Sequence, residues 1–139
     1  MSDITVTAAN VAVLFPAKAE IYDNIAAVAV TAGQVLYLNS SGKVDLYDSN
    51  GSGTLQPHGI ALNAAGAGQA VSVLKRGFVN GFTISSLAYD AALYGSNTAG
   101  ALADAAGSSS VILGRVKAVS DASVTKALYV DMPWLTILS

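Results

Sequence analysis

The sequence contains no cysteine and few charged residues. Its 139 residues include seven lysines and arginines and nine aspartates and glutamates, which gives a formal net charge of −2. A chain without cysteine forms no disulfide and has no thiolate that could bind a metal or attack a substrate. The few scattered cations provide no basic surface to neutralise phosphates, so we expect no nucleic-acid partner.

Histidine is nearly absent, because His58 is the only one. A histidine-based zinc site or a serine hydrolase would have to use His58, but the sequence has neither the short spacings of metal ligands nor a Gly-x-Ser-x-Gly motif. The acidic residues Asp45 and Asp48 lie at a predicted strand end, where a solvated loop edge is the simpler interpretation. We therefore predict no catalytic residues, no metal ligands, no cofactor and no enzyme activity.

Long hydrophobic runs are also lacking, although hydrophobic residues make up 53% of the chain. The uncharged stretch 25–42 is interrupted by Thr31, Gly33 and Gln34, so it falls short of the roughly 20 apolar residues that a membrane-spanning helix needs. We expect no membrane partner.

Turn-forming residues are abundant and regularly spaced. Clusters of Gly, Ser and Asn recur about every ten residues, a spacing typical of an all-β barrel or sandwich. Helical spacing is weak and is confined to residues 17–29 and 87–93, so we predict an all-β fold with at most two short helices. The short apolar or alternating runs between the turns are predicted strands: residues 35–38, 43–47, 59–62, 70–74, 77–82, 111–119 and 127–131.

Residues 34–74 and 91–131 resemble each other when they are laid over one another. Tyr37 and Tyr94 are 57 positions apart, Gly59 and Gly114 are 55 apart, and Val71 is 57 positions before Leu128. These offsets predict two related β units, each a hairpin plus two strands. Chance similarity within a glycine-punctuated β protein is the alternative.

The sequence divides into an amino-terminal arm, residues 1–15, a β domain, residues 16–132, and an apolar tail, residues 133–139. Alternation in the arm is typical of a strand that adds to the edge of another sheet, and pairing within its own domain is the alternative. The predicted attachment residues of this extended arm are Ile4, Thr5, Val6, Thr7 and Asn10.

The tail carries four bulky apolar residues that water would not favour unless they pack on something. They either fold back onto the domain or form a subunit interface. These residues are Trp134, Leu135, Ile137 and Leu138.

Four segments of the chain, in their order and spacing, resemble those of a known family. The segments are Ile4-Thr-Val-Thr-Ala-Ala-Asn-Val11, Thr31-Ala-Gly-Gln-Val-Leu-Tyr-Leu38, Gly59-Ile-Ala-Leu-Asn-Ala-Ala-Gly-Ala-Gly-Gln-Ala-Val71, and Ala88-Tyr-Asp-Ala-Ala-Leu-Tyr94 with Thr98-Ala-Gly100. Together they resemble the capsid decoration (head cement) proteins of tailed bacteriophages. None of them is a catalytic signature, and the likeness spans nearly the whole chain.

This resemblance implies a small β-barrel or β-tulip domain that forms homotrimers on the outer surface of an expanded head. The implied partner is the major capsid protein, whose neighbouring subunits the trimer holds together. The implied location is the virion, after synthesis in the bacterial host cytoplasm, with no enzyme activity and no cofactor. The apolar residues 11–16 and the tail depart from the family pattern and bear on the oligomer geometry.

Two alternative functions stay open at this point. One is another virion subunit, of the tail or head-completion type. The other is a β-sandwich carbohydrate-binding module that uses its tyrosines and Trp134. Binding to capsids distinguishes a decoration protein from both alternatives.

Overall fold

A computed structural model describes residues 3–49, 56–108, 111–120 and 123–133. In these residues the chain forms ten strands in one strongly curled antiparallel sheet, a half-barrel, which confirms the predicted all-β class. The strands are β1 (Val13–Leu14), β2 (Glu20–Ile25), β3 (Val35–Leu38), β4 (Val44–Leu46), β5 (Pro57–Ala61), β6 (Ala70–Val79), β7 (Ala92–Gly95), β8 (Leu102–Ala103), β9 (Ile112–Ser120) and β10 (Ser123–Asp131).

In the described residues the helical elements are two 3₁₀ turns, Ala8–Asn10 and Pro16–Lys18, which agrees with the prediction of at most two short helices. The segment 17–29 instead contains β2, which pairs with β6. A spacing of four residues, as between Ile21 and Ile25, places two side chains on one face of a strand as well as of a helix, which is why this segment was a candidate helix. The segment 87–93 contains a turn and the start of β7.

The strand order is β4-β3-β5-β6-β10-β9-β7-β8, with β1 and β2 also paired to β6. Read from each end of the sheet toward its middle, the order is β4-β3-β5-β6 on one side and β8-β7-β9-β10 on the other. The two halves therefore have the same strand order, and they meet at β6 and β10. We call β3–β6 the first unit and β7–β10 the second unit. They correspond to the two stretches of similar sequence.

The strand register is also the same in both units. Leu36 lies opposite Gly59 in the first unit, and Leu93 lies opposite Gly114 in the second, with a register shift directly after each leucine. Each glycine sits where a side chain has no room. A Cβ on Gly59 would lie 2.6 Å from the carbonyl oxygen of the neighbouring strand, and a Cβ on Gly114 would lie 2.7 Å from the matching oxygen.

One sequence equivalence has to be corrected by two residues. Ala61 pairs with Val73 between β5 and β6, and Val116 pairs with Leu128 between β9 and β10. Val73 is therefore the structural equivalent of Leu128, and Val71 is not. The offset is 57 at Leu36 and Leu93 but 55 at Gly59 and Gly114, so the two units differ by two residues in the chain between β3 and β5 and between β7 and β9.

Two apolar cores hold the sheet together. The larger lies between the units and takes Val35, Ile60 and Leu74 from the first and Val116 and Leu128 from the second. The smaller lies on the opposite face of the first unit. Its members are Ala26, Val30, Leu36, Val44, Ala61, Ala65, Val71 and Val73. The first unit is therefore covered on both faces, whereas the outer face of the second unit is exposed.

Backbone hydrogen bonds join the far ends of the two units and close the curl. The amide of Val35 donates to the carbonyl of Gly100 at 2.8 Å, and the amide of Gly100 donates to the carbonyl of Tyr47 at 2.7 Å. The amide of Ser49 donates to the carbonyl of Ser96 at 2.8 Å. These bonds fix the units face to face around the larger core.

The outermost strands of the sheet, β4 and β8, are each covered by a short segment. The amide of Ala27 donates to the carbonyl of Val44 in β4 at 2.8 Å. The amide of Ile4 donates to the carbonyl of Leu102 in β8, also at 2.8 Å. Natural sheets generally protect their edges, because unpaired backbone groups recruit foreign strands.

Candidate interaction surface

The predicted arm lies along the domain. Besides the bond from Ile4 to β8, the amide of Thr7 donates to the carbonyl of Gly81 at 2.8 Å, and the carbonyl of Thr5 accepts from the amide of Thr83 at 2.9 Å. The side chain of Ile4 packs against the larger core. We expected residues 1–15 to form an arm separate from the domain. The described part of this segment instead lies on the domain, because Ile4 packs on an apolar site at the end of the second unit.

Val6 and Asn10 complete the placement of the predicted attachment residues. Val6 bridges to Phe82, and its Cγ2 would lie 2.4 Å from a Cβ on Gly33, so the absence of a side chain at Gly33 makes room for it. Asn10 ends a 3₁₀ turn and its amide donates to the carbonyl of Thr7 at 2.9 Å. The role of these residues in capsid attachment stays a prediction.

A carboxylate fastens the start of the described chain to the second unit. Ser96 Oγ donates to Asp3 Oδ1 at 2.5 Å. Hydrogen bonds from Ser96 and then from Thr98 lower the pKa of Asp3 below its ordinary value. Hydrogen bonds to a carboxylate favour its charged form, so this contact is strongest when Asp3 is ionised.

The residues predicted for a subunit interface, Trp134, Leu135, Ile137 and Leu138, lie outside the described residues. The chain can be followed to Met132 and Pro133. Met132 is buried in the larger core.

The strand β2 was not among the predicted strands, and its backbone has an exposed edge. Asp23 lies directly opposite Ser72 of β6. Ser72 uses its backbone elsewhere: its amide donates to Asn63 Oδ1 at 2.8 Å, and its carbonyl accepts from the amide of Leu62 at 2.8 Å. Opposed residues of an antiparallel pair exchange both bonds or neither, so the amide and carbonyl of Asp23 point away from β6.

The backbone amides and carbonyls of Ile21 and Ile25 also point away from β6, because each residue is two positions from Asp23 and no register shift lies between them. Among the described residues, no strand pairs with this outer edge of β2. The side chains of Ile21 and Ile25 lie on one face of the strand and are 39% and 41% exposed. The edge thus combines free backbone groups with exposed aliphatic side chains.

The other face of β2 borders a groove of about 350 Å³ that is lined by Tyr22, Leu38, Pro57 and His58 among others. The rings of Tyr22 and His58 are stacked, with centroids 5.9 Å apart. His58 Nε2 lies 3.0 Å from Asn24 Oδ1. Burial lowers the pKa of His58, and the positive charge of Lys75 lowers it further, so both effects favour the neutral imidazole.

Tyr22 has a second contact that fixes its phenol group. The hydroxyl of Tyr22 donates to Glu20 Oε2 at 2.8 Å, and this hydrogen bond raises the pKa of Tyr22. Glu20 lies 3.6 Å from Arg76, which also contacts Asp131 at 2.9 Å. These exposed ion pairs contribute little stability, but they hold the charged side chains along this edge in place.

The exposed outer face of the second unit carries charged side chains, and an aromatic row crosses from Tyr129 of this unit to Phe78 on β6 of the first unit. Phe78 makes edge-to-face contacts with Phe15, at a centroid distance of 5.9 Å, and with Tyr129, at 5.0 Å. On the second unit Asp90 contacts both Lys117 and Arg115. One carboxylate on this face is therefore shared by two cations.

Within the ranges that the structure describes, no three His, Asp or Glu side chains are placed to share a metal ion. In the same ranges, no helix has the length and apolar character needed to cross a bilayer.

Comparison of the chain with protein-family models, with curated proteins and with solved structures gave no match.

Proposed function

We propose that the chain is a structural virion protein that binds the outer surface of an expanded tailed-phage capsid and stabilises contacts between major capsid protein subunits. The order of its segments, which resembles that of decoration proteins, supports this proposal. The family resemblance also favours a homotrimer, made in the host cytoplasm and retained on the virion. The observation that carries the proposal is the outer edge of β2.

Strand addition is the recognition mode that fits this edge. The outward amides and carbonyls of Ile21, Asp23 and Ile25 can bond to an extended segment of the capsid protein. Ile21 and Ile25 would lose their exposure in the same step, which adds apolar burial to the backbone bonds. The strand contains neither Lys nor Pro, the residues that commonly protect an edge.

The charges on β2 indicate the kind of capsid segment that would pair with it. Glu20 and Asp23 are acidic, and Asp23 lies between the two isoleucines. An opposed strand with basic side chains and apolar residues on one face would complement both features, because opposite charges across a strand pair are favourable. The partner segment is thus an extended, basic and amphipathic part of the major capsid protein.

Proline at position 23 tests this attachment directly. Asp23→Pro removes an outward amide without removing a bond to β6, and a proline is tolerated on the solvent side of an edge strand. Asp23→Ala is the matched control: both variants lose the bond from Ser72 Oγ, which is 3.2 Å long, but the alanine variant keeps the amide. Each protein is mixed with undecorated expanded capsids, and bound copies are counted by sedimentation and electron microscopy.

We expect wild type and Asp23→Ala to decorate the capsids and Asp23→Pro to bind poorly while keeping its melting temperature. Equal decoration by all three would show that the edge of β2 is not the attachment site. If no form of the protein binds capsids, the function itself is wrong. Binding to isolated tails or to a glycan array would then favour one of the alternatives.

A further inference from the structure

The outer face of the second unit contains a groove that capsid attachment through β2 does not use. Its volume is about 290 Å³. The matching face of the first unit lies under the smaller core, whereas in the described ranges no such core lies over the groove. The groove is therefore open to a ligand. The residues that line it are Ile112, Gly114, Arg115, Lys117, Tyr129 and Asp131.

Strand pairing places an aromatic ring beside a cation in this groove. Tyr129 lies opposite Arg115 of β9 and opposite Phe78 of β6, so the three side chains share one face of the sheet. The rings of Tyr129 and Phe78 meet edge to face, with centroids 5.0 Å apart. Phe15 adds a third ring 5.9 Å from Phe78 and is 42% exposed. A row of rings thus leads from the groove across the sheet.

Two residues beside this face have backbone conformations that are unfavourable for residues other than glycine. Phe15 has a φ of 53° and Asp90 has a φ of 66°. A positive φ is rare for a bulky residue, and such strain is concentrated at functional sites. The ring of Phe15 contacts Phe78, and the carboxylate of Asp90 contacts Arg115 and Lys117. Both strained residues therefore position side chains that belong to the groove or to the row of rings.

The two cations of the groove have more hydrogen-bond donors than the described residues use. Arg115 Nη1 donates to the carbonyl of Asp90 at 2.8 Å, and Lys117 donates to the carboxylate of Asp90. A guanidinium has five N–H donors and an ammonium has three, so most of these donors have no partner among the described residues. Both side chains are 43% exposed. They can bind an oxyanion, for which the fork of an arginine is well suited.

Asp131 gives the same groove an acceptor. Its Oδ1 accepts from Arg76 Nε at 2.9 Å, and its side chain is 54% exposed. An ionised carboxylate accepts hydrogen bonds from hydroxyl groups and repels other anions. The groove thus combines donors for an oxyanion, an acceptor for hydroxyls and an aromatic ring. This combination disfavours a phosphodiester chain, whose repeated negative charges would lie close to Asp131.

We propose that this groove binds an acidic sugar residue of a polysaccharide. The carboxylate of the sugar accepts from Arg115 and Lys117, the apolar face of its ring packs on Tyr129, and a hydroxyl donates to Asp131. The row formed by Phe78 and Phe15 extends the surface to the neighbouring sugar of the chain. This activity is separate from capsid attachment, because it uses the face of the second unit and not the edge of β2.

An NMR titration of the full chain, without capsids, tests the proposal. The acidic probes are tetragalacturonate and a tetramer of sialic acid. The fully methyl-esterified tetragalacturonate is the uncharged counterpart of the first probe, and a thymidine tetranucleotide is an anion without a sugar acid. Arg115→Ala removes the fork. Lys43→Ala is the matched control, because it removes one positive charge from an exposed position that does not line the groove. Circular dichroism checks that both variants fold.

We expect an acidic tetrasaccharide to shift the amide resonances of residues 112–117 and 129–131, and the methyl ester to bind more weakly. Arg115→Ala should weaken binding about tenfold, and Lys43→Ala should leave it unchanged. The proposal would be overturned if neither acidic probe bound, or if acid and ester bound equally well. Equal losses in the two variants would reduce the effect to general charge attraction, and tighter binding of the tetranucleotide would assign the groove to nucleic acid; either result contradicts a sugar site.

Discussion

The two units have the same strand order and the same register, but they differ in what covers them. The first unit is buried on both faces, by the larger core and by the smaller core beneath residues 26–32. The second unit is buried on one face, and its other face has Ile112 exposed and Arg115 and Lys117 half-buried. One backbone pattern therefore serves two environments, and the side chains at equivalent positions show which environment each unit has.

Ile60 and Arg115 give the sharpest form of this comparison, since both occupy the same register position, opposite Val35 and Ala92 respectively. Ile60 is fully buried. We expect Ile60→Ala to lower the free energy of unfolding by about 3 kcal/mol through the cavity it leaves. Arg115→Ala should cost less than about 1 kcal/mol, because its ion pair is exposed. Urea unfolding measures both, and similar costs would break the comparison.

The two glycines test what the units share. Gly59→Ala and Gly114→Ala each place a Cβ under 3 Å from a backbone carbonyl oxygen. We expect each to destabilise the fold by about 2 kcal/mol, since neighbouring backbone cannot move aside easily.

Gly66→Ala is the control for this pair, because its Cβ would approach the flexible side chain of Gln69 at 3.3 Å. It should change the midpoint of denaturation little. Gly114→Ala could prove as harmless as Gly66→Ala while Gly59→Ala destabilises the fold. That result would show that the close packing at the shared register position does not contribute to the stability of the second unit.

Strand composition and turns were readable from the sequence, because short apolar runs and Gly-rich turns are local features. Residues 35–38 form β3 as predicted, and the Tyr37/Tyr94 and Gly59/Gly114 offsets match the structure. The runs 70–74 and 77–82 were separated at Lys75 and Arg76, yet residues 70–79 are one strand. A charged pair does not end a strand when its neighbours pair on both sides.

The surface of the domain was less predictable than its strands. Ile21 and Ile25 fit a helix and a strand equally well by spacing, and pairing with β6 decided between them. Nothing local in the sequence shows that β4 and β8 are covered while β2 is not. That difference arises from contacts between distant residues, such as Ile4 with Leu102.

The two outermost strands allow a third test, because Ile4 covers β8 as Ala27 covers β4. We expect Ile4→Ala to cost about 1.5 kcal/mol, since Ile4 is partly buried against the larger core. Hydrogen exchange should speed up at β8 and remain unchanged at β4. Exchange that rises equally at both ends would mean that the amino-terminal segment supports the whole domain and not the second unit alone.

The smallest expected effect is a pH dependence at the same place. The lowered pKa of Asp3 means that the folded state binds fewer protons than the unfolded state as the carboxylate titrates. Its contribution to stability is therefore present above about pH 4 and lost as the pH falls through the folded pKa. Asp3→Asn should make the fall of melting temperature in acid shallower. An unchanged slope would show that the contact with Ser96 does not stabilise the fold.

The central claim is that the chain attaches to a capsid through β2, and an electron-microscopy map of decorated expanded capsids tests it most directly. The account predicts an extended segment of the major capsid protein beside β2, bonded to the backbone of Ile21, Asp23 and Ile25. A map in which the protein is bound while this edge faces solvent would contradict the attachment mode, and capsids that remain bare would contradict the function.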